Sequence, residues 1–101
     1  MAFICLLELD LHLPEAGDLK AKRRHVTSLK SQLQQRFGAA VAETEHQDLW
    51  QRATLSVALV APGRAGCEER ADAVERFTRA RFGDWVRCDR TIRSTADLQG
   101  G

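Results

Sequence analysis

The stretch AFICLLELDLHL, residues 2–13, alternates without a break. Phe3, Cys5, Leu7, Leu9, Leu11 and Leu13 share one face, and Ile4, Leu6, Glu8, Asp10 and His12 share the other. Successive side chains of an extended strand point to opposite faces, so this period of two predicts a strand whose odd face lies in a core. Pro14 ends the run, and the PEAGD segment that follows reads as a loop.

Outward from that strand the period changes. Leu19, Val26, Leu29, Leu33 and Phe37 fall in one stripe at helical spacing, after a candidate N-cap at Asp18 and before a natural stop at Gly38. This predicts a helix from Leu19 to Phe37. Residues 39–46 read as a short edge strand, and Trp50 to Ala61 as a third strand with Leu55, Val57 and Leu59 inward. A second helix is predicted over Ala65 to Phe82, with Cys67, Ala71, Val74 and Phe77 inward and i,i+4 ion pairs Asp72–Arg76 and Glu75–Arg79 outward. A last strand, Asp84 to Arg93, carries Val86, Cys88 and Ile92 on its inner face. The order βαββαβ is the split βαβ arrangement of ferredoxin-like plaits. The expected architecture is therefore α+β, a four-stranded antiparallel sheet in the order 4-1-3-2 with two helices on one face. Residues 1–94 form the single expected domain, and residues 95–101 a flexible C-terminal tail.

The composition excludes more than it selects. A chain of 101 residues makes one core and needs neither metal nor disulfide to fold. The net charge is +1, so overall charge does not choose a nucleic-acid or membrane partner. Three cysteines without a CxxC pair suit a reduced protein, with no structural zinc and no cofactor expected. No basic leader or cleavage site precedes the first strand, and no stretch approaches membrane-spanning length, so a cytoplasmic protein without a membrane partner is expected.

Charge is segregated within the first helix. Between Leu19 and Phe37 lie six basic residues, Lys20, Lys22, Arg23, Arg24, Lys30 and Arg36, and no acidic one. Cations at a helix N-terminus oppose the backbone dipole, whereas phosphate is favoured there. At 100° per residue, Lys20, Arg23 and Arg24 project to one side and form the candidate phosphate or RNA-backbone contact. Lys22 and Lys30 fall in or beside the apolar stripe and are expected to snorkel.

Two other places compete. His46 and Asp48 in the HQDLW turn are spaced for a metal or an acid–base pair, but no third ligand or nucleophile stands near them. The turn is expected to be structural, with Asp48 or Gln47 bonding backbone N–H groups and Leu49 plugging the core. Trp50 is a candidate partner contact. The open sheet face lacks the central aromatics that stack bases in RNA-recognition folds. Its Ile4, Leu6 and Trp85 suit cover by another protein, and a homo-oligomer is expected. No residue set reads as a catalytic apparatus or a metal site, so no enzyme activity is expected.

The strings LELDLHLP at 7–14, LKAKRR at 19–24 and above all EHQDLWQRATLSVA at 45–58 resemble the YlxP-like bacterial family, a domain of unknown function. The resemblance runs from Ala2 to about Arg93. It implies the ferredoxin-like fold and a genomic setting beside translation and ribosome-assembly factors, but no catalytic residues. Where family members commonly have Ser before the basic turn, this chain has Asp18, an equally good cap. The expected role is a non-enzymatic binding module for RNA or a ribosomal particle in translation or ribosome maturation. The alternative is a homo-oligomeric protein-interaction module with no nucleic-acid role.

Overall fold

Leucines decide which way the first strand faces. In the computed structural model, which describes residues 1–100, β1 (Phe3–His12) buries Cys5, Leu7, Leu9 and Leu11 to 2% exposure or less. Then come α1 (Leu19–Phe37), β2 (Ala40–Glu45), β3 (Arg52–Ala61), α2 (Arg64–Phe82), a 3-10 turn over Gly83–Trp85, β4 (Val86–Ser94) and a short α3 (Thr95–Gln99). All strand pairs are antiparallel, in the order β2-β3-β1-β4, which is 4-1-3-2 read from the other edge. Val26, Leu29 and Leu33 of α1 and Cys67, Ala71 and Val74 of α2 join the odd residues of β1 in one core cluster, so both long helices cover the same face.

Register follows from that burial. Leu7 lies opposite Val57 and Arg90, and Leu9 opposite Leu55 and Cys88. A slip of one residue would turn the whole leucine set into water. The Asp18 carboxylate caps α1 by accepting from the Ala21 N–H at 2.8 Å. Gly38, at φ 61°, closes the helix by donating to the Gln34 carbonyl. Gly83 turns the chain out of α2 with φ 60° and ψ −131°, a conformation essentially reserved for glycine.

Several details depart from the sequence reading. β4 begins at Val86 rather than Asp84, because residues 83–85 form the 3-10 turn. Asp72 pairs across to Arg90 on β4 at 2.9 Å instead of with Arg76, whereas Glu75 and Arg79 do pair, loosely, at 3.9 Å. β2 begins at Ala40 opposite Ala58, and Arg70 covers the stretch of β3 it leaves unpaired by donating to the carbonyls of Val60 and Phe37.

The C-terminal segment, expected as a flexible tail, forms α3 over residues 95–99; Gly101 lies outside the described residues. The Ser94 hydroxyl accepts from the Asp97 N–H while the Asp97 carboxylate accepts from the Ser94 N–H, a reciprocal capping box. Those bonds hold the Asp97 carboxyl below its usual range. Their support for α3 is therefore present near neutrality and lost as pH falls through that lowered value. The Thr95 N–H donates to the Ala2 carbonyl at 2.8 Å and ties the two ends of the chain together.

Leu9 and Leu29 belong to the same core cluster and have no exposed surface. Replacing either by Ala should cost about 2–5 kcal/mol through lost burial and the cavity left behind. Urea denaturation with an unchanged m-value is the check. A loss well under that range would mean the site collapses around the smaller side chain.

Candidate nucleic-acid interface

α1 has two faces with different tasks. Its inner residues, Val26, Leu29 and Leu33, are buried. On the opposite side Lys20, Arg23 and Arg24 line a shallow hollow together with Thr27, Ser28 and Ser31. The spacings of three, four, seven, eight and eleven residues make one continuous stripe along the helix. Lys20, Arg23 and Arg24 are exposed, and none makes an ion pair among the described residues. The sequence reading placed these three cations together. It missed the hydroxyls that extend the stripe, although the i+3/i+4 spacing was there to be read.

Lys22 behaves differently from its neighbours and from expectation. It does not snorkel. Only 2% exposed, its ammonium lies 2.9 Å from Glu43 Oε2 on β2, 2.5 Å from the His46 carbonyl and 3.3 Å from the Gln47 carbonyl. The two carbonyls accept hydrogen bonds from it, and the carboxylate neutralises its charge. Glu43 Oε2 is buried without a hydrogen-bond partner, so the charge of Lys22 is what compensates its burial.

This arrangement also corrects the reading of the HQDLW turn. The turn is held through its carbonyls by Lys22, not through Asp48. Asp48 is exposed, and Leu49, expected in the core, is 47% exposed. His46 adopts φ 64°, in the left-handed region, and the Leu49 N–H returns to its carbonyl at 3.1 Å. Among the described residues no group of three or more His, Cys, Asp or Glu side chains is placed to hold a metal. Burial raises the Cys5 thiol, and burial together with a hydrogen bond that the thiol donates to the Glu75 carboxylate pushes Cys88 up to about 12, so neither is a thiolate at neutral pH.

The outer face of the sheet is not one apolar patch. Ile4, half-buried, sits opposite Val60 and Arg93, with exposed Leu6 beside it opposite Ala58 and Thr91. Trp85, 53% exposed, lies at the far end, its ring edge-to-face with His12 at 5.1 Å and 84°. Trp50, 51% exposed, belongs to that far end too, since neighbouring Gln51 accepts from the Leu13 N–H. Between the two ends Glu8 stands directly opposite Asp89, a like-charge pair that works against the sheet. Asp10 accepts from the buried Thr54 hydroxyl at 2.6 Å. The structure thus separates Ile4 and Leu6 from Trp85, with which the sequence reading grouped them on the open face, and places Trp85 at the same end as Trp50.

Fold and site together define a small ferredoxin-like α+β protein with a cationic, hydroxyl-lined helix face. The chain belongs to the family described as protein of unknown function DUF503, whose model matches residues 4–90. It is similar to the uncharacterized protein YlxP of Bacillus subtilis strain 168, with 30% identity over 70 residues, 69% of this chain and 76% of that one. Among solved structures it resembles the de novo designed protein Foldit4, with a TM-score of 0.63 and 8% identity over 94% of this chain and 99% of that one. A second design, described as having a ferredoxin fold, aligns with a TM-score of 0.42 and 16% identity over 90% and 85% of the two chains. No helix of the described residues is long and apolar enough to cross a membrane.

The Lys22 contacts set an expectation for stability. Lys22→Met should destabilise by about 2–3 kcal/mol, less than the roughly 3–5 kcal/mol for breaking a fully buried pair. The reduction reflects Glu43, which is 25% exposed. Adding Glu43→Gln should recover part of the loss in a double-mutant cycle. Equal stability of Lys22→Met and wild type in urea would mean that water replaces the ammonium at no cost.

Proposed function

We propose that this protein is a non-enzymatic RNA-binding module of the cytoplasm, acting on an RNA or a ribosomal particle in translation or ribosome maturation. The observation that carries the reading is the α1 stripe. Three cations without acidic partners and three hydroxyls lie along one exposed helix face of roughly 16 Å. Arg and Lys supply charge-assisted donors to phosphate oxygens, and Ser and Thr supply neutral ones, the usual composition of backbone contacts that position without reading sequence. The biological setting comes from the resemblance to the YlxP-like family and its genomic company. The name of the Bacillus relative supplies no activity.

A second reading rests on a different surface. Val60, 59% exposed, adjoins Ile4 and Leu6, 39% exposed, at the end of the sheet away from Trp85. This apolar corner favours self-association through the outer sheet face. Light scattering at micromolar concentration should then report an assembly that Ile4→Glu dissolves. A monomer at all concentrations would remove this reading without touching the first.

Arg23→Glu combined with Arg24→Glu should abolish RNA binding in filter assays or ribosome-subunit pelleting. Thermal stability should be unchanged or slightly higher, because acidic residues suit the first turns of a helix. Three phosphate contacts imply a slope of log affinity against log salt of about −2 for single strands. Equal association of wild type and double mutant, or none by either, would leave the stripe a solvated helix face.

A further inference from the structure

The α1 stripe does not end at the helix. Arg81, in the last turn of α2, reaches across to donate to Ser28 Oγ at 3.0 Å and to Gln32 Oε1. Arg81 also lines a second hollow with His25, His12 and Trp85. His12 and Trp85 in turn form one wall of a third hollow, about 540 Å³ in volume, whose other walls include Arg52 and Arg87. The three hollows follow one another around one end of the molecule, from the helix layer to the outer face of the sheet.

The third hollow has its own chemistry. Arg52 lies opposite His12 on one side of β1, and Arg87 opposite Asp10 on the other. Neither guanidinium makes an ion pair among the described residues. The carboxylate between them, Asp10, is already engaged by the Thr54 hydroxyl. Trp85 contributes a half-exposed indole, and Asp84 a second carboxylate. A site for bare phosphate would be weakened by two carboxylates. A ribonucleotide needs this mixture: a planar surface for the base, cations for the phosphate, and acceptors for a ribose hydroxyl or an exocyclic amine. The volume lies within the ordinary range for small-ligand sites.

We infer that the hollow between Trp85, Arg52 and Arg87 holds one unpaired nucleotide of the RNA that lies along α1. The base packs against the Trp85 indole and its phosphate meets the two guanidiniums. This inference rests on the RNA-binding reading and adds to it a selectivity for single strands over duplex, because a paired base must break its pair and its stack to reach the indole. It also adds a preference for ribose over deoxyribose through Asp10 and Asp84.

The chain has two tryptophans, so Trp50→Phe leaves Trp85 as the only indole reporter. The probes are a short single-stranded RNA, DNA of the same sequence and the corresponding RNA duplex. The expected result is quenching of Trp85 emission by the single-stranded RNA, weaker quenching by the DNA and none by the duplex. Trp85→Leu should weaken binding of single-stranded RNA on the order of tenfold, leaving duplex affinity unchanged. Arg87→Ser, which removes a charge on an exposed edge strand, should weaken it as well and guards against a Trp85 variant that fails to fold. If Arg23→Glu/Arg24→Glu loses RNA while Trp85→Leu and Arg87→Ser keep full affinity without quenching, the nucleotide site is overturned and the helix reading stands. If quenching survives in the Arg23→Glu/Arg24→Glu protein, the nucleotide site stands and the helix reading fails. No quenching and no retention by the unmodified protein overturns both. Quenching that follows protein concentration without RNA assigns the indole to a second copy of the chain and overturns the site.

Discussion

The Lys22 ammonium fixes how the first helix sits on the sheet. A lysine in an apolar stripe is normally tolerated by carrying its charge out to water. Here the charge goes inward, to Glu43 on β2 and to the carbonyls of His46 and Gln47 in the loop beyond. Three elements are joined through one side chain. A helix advances about 100° per residue, so turning Lys22 inward places Lys20 and Arg24 roughly 160° away, on the outer side, with Arg23 beside them. The rotation that satisfies the buried ion pair therefore also aims the cationic stripe at solvent. Helix position, loop conformation and candidate binding face follow from the same set of contacts.

The sheet obeys a different constraint. The inner face of its two central strands is a continuous run of leucine, valine, cysteine and alanine, and its outer face is divided by charge. Glu8 opposite Asp89 places two carboxylates where an aromatic platform would stand in a sheet that stacks bases at its centre. Apolar residues are left at one end, around Val60, and tryptophans at the other, around His12. The two ends therefore differ in chemistry, the first apolar and the second aromatic and charged.

Much of this was legible in the sequence, and the exceptions share a cause. The alternation of residues 2–13, the stripe from Leu19 to Phe37 and the Gly38 stop are local patterns, and local patterns specify local structure. β1 and α1 accordingly fall where the sequence puts them. What the sequence did not reveal depends on groups distant along the chain. Lys22 could be placed in the stripe, but the Glu43 carboxylate and two loop carbonyls awaiting it could not. Asp72 had a plausible partner at i+4 and a better one, Arg90, across the core. Leu49 looked like a plug because it is apolar, yet the loop is already held by its backbone and the leucine has nowhere inward to go. The Ser94–Asp97 capping box is the opposite case. Its spacing was in the sequence, and the polar composition of the segment obscured it.

The charge on α1 gains weight when set against what helix stability alone would select. Lys20 stands in the first turn, where a cation opposes the dipole by roughly a few tenths of a kcal/mol, and Arg23 and Arg24 follow in the second, where the dipole's effect is weaker. The Asp18 cap, worth about 1 kcal/mol, and the Lys22 contacts offset that penalty but do not require it. Glutamate or glutamine at any of the three positions would serve the helix better and leave the core untouched, since all three side chains are exposed. Arg81 adds a fourth cation to the same surface by bonding neutral Ser28 and Gln32 rather than an acid. Lys20, Arg23, Arg24 and Arg81 thus concentrate like charge on one face, with hydroxyls where carboxylates would neutralise it, a distribution that helix stability alone does not select.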